Sequence, residues 1–154
     1  MAVKNGSGKA NLSNTSFSVS GNTTKTGTLS WTNPTLPDNA TITGTTLTGT
    51  LNISMSKGHC TVTLNGTDYT ETSQINLSLG TSLKTSTSIS YKGGNKNATG
   101  TITFSDFIYT INYTYDDGNG VVLIHVGNNI ISSAYLGNTP IDKIYIGTTL
   151  VYEV

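Results

Sequence analysis

Thr45-Thr46-Leu47-Thr48-Gly49-Thr50-Leu51-Asn52-Ile53-Ser54-Met55 alternates small or apolar residues with polar ones along its whole length. Successive side chains of a strand point to opposite faces. Leu47, Gly49, Leu51, Ile53 and Met55 therefore share one face, and Thr46, Thr48, Thr50, Asn52 and Ser54 share the other. The reading is a strand with a single buried face. Threonine suits the solvated side, because its branched side chain favours extended backbone.

The same period continues outward in both directions. Phe17 and Val19 alternate with serines, and Leu29 and Trp31 follow the turn-prone Gly21-Asn22. Pro34 and Pro37 exclude the next connection from a central strand. Downstream, Thr61-Val62-Thr63-Leu64 and Thr67-Asp68-Tyr69-Thr70 flank Asn65-Gly66. That pair predicts a two-residue hairpin of type I′, since asparagine tolerates left-handed backbone and glycine has no Cβ to oppose it. Ile75, Leu77 and Leu79 alternate before Gly80, and Ile89 and Tyr91 lead into Gly93-Gly94. Ile102 with Phe104, then Tyr109, Ile111, Tyr113 and Tyr115, complete the pattern. Serine and threonine are too dense, and alanine too sparse, for an amphipathic helix. The fold class is all-β: an antiparallel two-sheet β-sandwich, of jelly-roll or immunoglobulin-like topology, over residues 14–117. Residues 1–13, rich in glycine and serine from Asn5 to Ser13, read as a flexible or docking arm.

Asp116-Asp117-Gly118-Asn119-Gly120 resists both helix and strand interior and marks a boundary. Beyond it, residues 118–154 form a small β-repeat region. Gly127-Asn128-Asn129-Ile130-Ile131, Gly137-Asn138-Thr139-Pro140-Ile141 and Gly147-Thr148-Thr149-Leu150-Val151 recur at intervals of ten residues. Each repeat suits a short strand, a tight turn and the start of another strand. A unit this small cannot bury its own apolar face, so it must dock on something.

Composition narrows the function classes. Eight lysines balance eight acidic residues, and there is no arginine. A nucleic-acid groove needs clustered basic residues with arginine as the bidentate reader, so nucleic-acid binding is not expected. Charged residues are 10% of the chain, against roughly 25% in ordinary globular domains. So little net repulsion permits self-association. The eight tyrosines, three phenylalanines and one tryptophan stand inside alternating runs, which argues for a β-rich shell over disorder. Cys60 is alone and shares a phase with Val62 and Leu64, the pattern of a buried small hydrophobe. The N-terminus has no apolar signal core, and no stretch approaches the ~18 apolar residues needed to cross a bilayer. The expectation is a soluble chain made in a cytoplasm, with no membrane partner.

No catalytic constellation is legible. His59 and His125 lack any zinc-ligand spacing, and the Asp116–Asn119 loop lacks the spaced carboxylates and terminal glutamate of a calcium site. Asp68, Glu71, Asp106 and Asp142 are scattered, with no glycosidase-like pair among them. No serine sits in a nucleophile elbow, and no glycine-rich loop ends in a phosphate-binding lysine. Neither a metal nor a cofactor is expected, nor is an enzyme.

The segment Ala134–Tyr152, with Tyr135-Leu136-Gly137, Asp142-Lys143-Ile144-Tyr145-Ile146-Gly147 and Leu150-Val151-Tyr152, resembles the terminal motif of many tailed-bacteriophage structural proteins. Lys143, Tyr145, Gly147, Val151 and Tyr152 carry the likeness, over about a fifth of the chain. The threonine-rich region before it is similar in style to sandwich modules of phage capsids, tail tubes and baseplates. The resemblance implies a non-enzymatic virion component whose partners are the major capsid or tail proteins of the same particle. Tyr135, Leu136, Ile141, Ile144, Tyr145, Ile146, Val151 and Tyr152 are then the expected assembly interface, closing a homo-oligomer, dimer or trimer. The same rings could equally cover the end of the chain's own sandwich.

Three functions compete. The first is a capsid decoration or head-fibre-like component. The second is a carbohydrate-binding module of the tail or baseplate that contacts a host surface glycan through Trp31, Tyr69, Tyr91 and Asn95. Against it, Trp31 shares a phase with Leu29 and serves as readily as a core anchor. The third is an accessory or inhibitor domain of an enzyme. An exposed aromatic cluster favours the second; a buried Trp31 with an apolar patch on the repeats favours the first.

Overall fold

The computed structural model describes residues 3–116 and, beyond them, residues 124–126, 129–131, 135–136, 139–140, 143–146 and 149–153 as strands. The chain divides into two compact units, Asn5–Tyr115 and Asp116–Val154 with Met1–Lys4.

The first unit is built from β1 (Val3–Asn11), β2 (Thr15–Ser20), β3 (Lys25–Ser30), β4 (Thr41–Lys57), β5 (Cys60–Leu64), β6 (Thr67–Tyr69), β7 (Ser73–Gly80), β8 (Ser86–Gly93) and β9 (Thr99–Asp116). One sheet runs β1-β9-β4-β7, with β2 also on β9; the other runs β3-β8-β5-β6. Taking β1 and β2 as one interrupted edge strand, the pairs are β5–β6, β4–β7, β3–β8 and β2–β9, each nested inside the next. Cross-pairing of β9 with β4 and of β8 with β5 joins these ribbons into two four-position sheets. That order is a jelly roll. It decides between the two topologies open to the sequence.

The turn at the centre of the nesting is Asn65-Gly66, where φ is 49° and 78°. Both central residues are left-handed, as a type I′ turn requires, and the registry Leu64↔Thr67 closes directly on it. Here the sequence pattern and the backbone agree residue for residue.

The interior follows the alternation. Leu47, Leu51, Val62, Leu64, Ile75, Ile89, Ile102, Phe104, Tyr109 and Ile111 are buried between the sheets. Two local irregularities let the large rings fit. In β9, Asp106 adopts φ 56°, and the registry with β4 shifts between Thr48 and Thr50. The bulge returns Phe107 to the interior beside Phe104, with ring centroids 5.6 Å apart. Opposite it lies Gly49: a Cβ there would overlap the Phe107 ring. The glycine in the middle of the most regular strand is thus the space that Phe107 occupies.

Within the flexible or docking arm expected over residues 1–13, residues 3–11 form β1 in the larger sheet. The glycines that suggested a loose segment admit rings instead. Tyr113 lies over Gly6, and the Pro34 ring over Gly8. Ala10 is buried, and Leu12 N donates to Phe107 O at 2.9 Å, carrying the pairing on towards β2.

The second unit contains β10 (Ile124–Val126) with β11 (Asn129–Ile131), β12 (Tyr135–Leu136) with β13 (Thr139–Pro140), and β14 (Lys143–Ile146) with β15 (Thr149–Glu153). Each pair is antiparallel and closes on a two-residue connection, at Val126↔Asn129, Leu136↔Thr139 and Ile146↔Thr149. The decapeptide repeat is thus a repeated hairpin. The last carries a register shift between Ile144 and Tyr145.

Gly49→Val is expected to destabilise the chain by about 1–3 kcal/mol through overpacking against Phe107. Urea unfolding followed by circular dichroism reads this directly. A valine tolerated without loss would show that Phe107 does not depend on the gap.

Candidate functional site

The solvent side of the smaller sheet carries two shallow depressions. Cross-strand registry places Thr26 beside Ser90, Ser90 beside Thr63, and Thr63 beside Asp68, one residue from each of the four strands. Neighbouring rows are Thr28 with Ser88 and Thr61 with Lys92. The depressions lie along them. One, of about 370 Å³, is lined by Thr26, Thr63, Asn65, Gly66, Thr87, Ser88, Ile89 and Ser90. The other, of about 140 Å³, adds Thr24, Thr61, Asp68, Tyr91 and Lys92. Thr63 Oγ1 donates to Asp68 Oδ1 at 2.5 Å, so the one carboxylate lining them is already held by a neighbour.

The larger sheet presents a similar surface. Ser16 and Thr103 share a hydroxyl hydrogen bond at 2.9 Å, and Gln74 Nε2 donates to Thr50 Oγ1 at 3.1 Å. Hydroxyls and amides here satisfy one another across strands. Among the described residues, no three His, Cys, Asp or Glu side chains stand together as a metal set. No helix there is long and apolar enough to cross a membrane. Cys60 is buried, and burial pushes its thiol above the ordinary range. Because the folded state keeps that proton, the resulting stability is complete below the unfolded thiol pKa and is lost as pH rises through the folded one.

The four residues expected to contact a sugar do not form a platform. Trp31 is 8% exposed and Tyr91 7%, so neither offers a ring face to solvent. Tyr69 and Tyr91 both pair with Val62 of β5, on the inward phase of the sheet, and Tyr69 is half-buried against the core. Only Asn95 is exposed, and its Oδ1 accepts from Asn97 N at 2.9 Å within its own turn. The burial of Trp31 has a clear cause. Trp31 Nε1 donates to Lys84 O at 2.8 Å and to Asn33 Oδ1 at 3.1 Å, while Lys84 N donates to the Tyr109 hydroxyl at 3.1 Å. The two rings lie 4.5 Å apart and together anchor the β7–β8 connection. Trp31 satisfies its polar edge inside the protein, as a core tryptophan must.

Of the residues expected at an assembly interface, Tyr135 and Leu136 fall in β12, Ile144, Tyr145 and Ile146 in β14, and Val151 and Tyr152 in β15. Ile141 lies outside the described residues. Registry sets Tyr135 opposite Pro140, Ile144 opposite Tyr152, and Tyr145 opposite Leu150. The Thr26–Ser90–Thr63–Asp68 row was missed in the sequence. Its only signal there is the polar phase of four separate strands, and pairing order alone brings them into line. No protein-family model matches the chain, and no curated protein matches it.

Trp31→Phe keeps the ring but strands the Lys84 carbonyl. A loss of about 1–3 kcal/mol in urea unfolding is expected. An unchanged midpoint would mean that Trp31 does not anchor the connection.

Proposed function

We propose that this chain is a non-enzymatic structural component of a tailed-phage particle, a capsid decoration or head-fibre-like protein that assembles through its C-terminal β-region. The observation that carries the reading is the trio of hairpins in that region. Among the described residues, each strand there pairs only with its own hairpin partner, and the strands are two to five residues long. Two-stranded hairpins of this length are marginal in water alone. They gain stability from a surface outside the hairpin, and a neighbouring subunit supplies one. Strand edges left open by such a pairing can also accept a strand from a partner.

The sequence likeness in Lys143, Tyr145, Gly147, Val151 and Tyr152 points the same way. Tyrosine combines a large contact area with a hydroxyl that can stay wet, the mixture favoured at interfaces. The jelly roll complements this role. Its outer faces are mostly hydroxyl and amide rows with few charges, which tolerate permanent neighbours, and the reading makes it the part that projects from the particle. Sugar recognition through Trp31 and Tyr91 is not favoured, because both rings belong to the core. The partners of the proposed protein are the major capsid or tail proteins and further copies of itself, as a dimer or trimer, in the virion.

Light scattering on the full chain and on a chain ending at Tyr115 tests this. The full chain should hold a constant dimer or trimer mass over a wide concentration range. The shortened chain should remain folded and monomeric. An unfolded shortened chain would assign the hairpins to the jelly roll's own core, and a monomeric full chain would remove self-assembly from the account.

A further inference from the structure

Three turns meet at one end of the jelly roll: Gly21–Thr24 between β2 and β3, Gly58–His59 between β4 and β5, and Gly94–Ala98 between β8 and β9. Backbone hydrogen bonds tie them together. Gly21 N donates to Ala98 O at 2.9 Å, Gly93 N to Gly21 O at 3.0 Å, and Gly94 N to His59 O at 2.8 Å. The His59 ring packs over Gly94. These three connections therefore form a fixed surface, with the β6–β7 connection at the same end.

Its charge is predominantly positive. The unit Asn5–Tyr115 has six lysines, and four of them, Lys25, Lys57, Lys92 and Lys96, stand at this end in or beside the three turns. Of the unit's four acidic residues, Asp38 and Asp106 lie elsewhere, while the exposed Glu71 stands in the β6–β7 connection at this same end and Asp68 lies on β6 leading into it. Asp68 lines the depression next to Lys92, and its carboxylate accepts a hydrogen bond from Thr63. Lys57, Lys92 and Lys96 are exposed, as is His59. In a chain that is neutral overall and sparing with charge, half of all the basic side chains have been placed on one small surface. β9 begins at this end and leaves the unit at Asp116, so the lysines sit away from the point where the chain exits.

We infer that this end of the jelly roll binds an anionic polysaccharide. Clustered ammonium groups attract a polymer of regularly spaced negative charges and raise its local concentration. The hydroxyl rows of the smaller sheet begin at Lys92 and Thr61 and supply hydrogen-bond partners for sugar hydroxyls beside the charge. Nucleic acid fits less well. The chain has no arginine, and no phenylalanine, tyrosine or tryptophan stands in the three turns for bases to stack upon. The inference does not rest on the assembly role of the hairpins.

The test uses the full chain and two variants. One carries Lys25→Gln, Lys57→Gln, Lys92→Gln and Lys96→Gln; the control carries Lys9→Gln and Lys84→Gln, which lie on β1 and in the β7–β8 connection. Lys57, Lys92 and Lys96 are exposed and Lys25 is half-buried; substitutions at exposed positions leave stability within about 0.5 kcal/mol, and circular dichroism with urea unfolding verifies that the fourfold variant stays folded. Binding to polygalacturonate, dextran sulfate, neutral dextran and single-stranded DNA is measured by fluorescence anisotropy at two salt concentrations. The expected result is salt-sensitive binding to at least one of the two charged polysaccharides and none to neutral dextran. The fourfold variant should lose roughly tenfold or more in affinity, and the control should retain it. Carboxylate and sulfate sources are separated by which polymer binds. Failure of both polymers, equal loss in both variants, or tighter binding of DNA would overturn the inference.

Discussion

Every strand pairing of the jelly roll is nested around the turn at Asn65-Gly66, and the turn works because left-handed backbone at both positions matches the twist of β5 and β6. Once those strands are paired, β4 and β7 are brought towards each other, then β3 and β8, then β2 and β9. Each closure shortens the effective loop that the next must close, so the entropic cost of the outermost pairing is reduced by the inner ones. β9 depends on this most, because it accepts β4 along one edge and the interrupted β1–β2 strand along the other.

Within that frame, the aromatic residues are accommodated by backbone adjustment. The left-handed residue Asp106 shifts the register of β9, and Gly49 leaves a gap in β4, so Phe104 and Phe107 both enter the core. Trp31 and Tyr109 are held by the backbone of Lys84, which turns a long connection into a fixed one. With the large rings absorbed inside, the exterior is left to threonine, serine and asparagine. Such a surface has little charge to deter neighbours, in keeping with a protein whose proposed work is to be part of an assembly.

Much of this was legible because alternation is local. The Thr45–Met55 pattern and the Asn65-Gly66 signal depend on residues near one another in sequence, and both are seen in the strands. The decapeptide spacing likewise corresponds to three hairpins. The features that escaped are long-range. β1 looked like an arm because Gly6 and Gly8 weaken its strand signal, and only Tyr113 and Pro34 explain why those positions are small. Trp31 and Tyr91 looked available to a sugar because a turn in the sequence says nothing about which sheet covers it. The Thr26–Ser90–Thr63–Asp68 row and the four-lysine end exist only once the strand order is known, since each draws on three or four separated segments.

The division of labour between a self-sufficient jelly roll and hairpins stabilised by neighbours is the central claim. Hydrogen exchange read by mass spectrometry on the full chain, below and above its association concentration, tests it most directly. The account predicts that β4, β5, β8 and β9 are strongly protected at every concentration, and that β10–β15 become protected only as the chain associates. Protection of β10–β15 equal to that of β4 and β9 in a monomer would contradict it, because the hairpins would then belong to the same cooperative core.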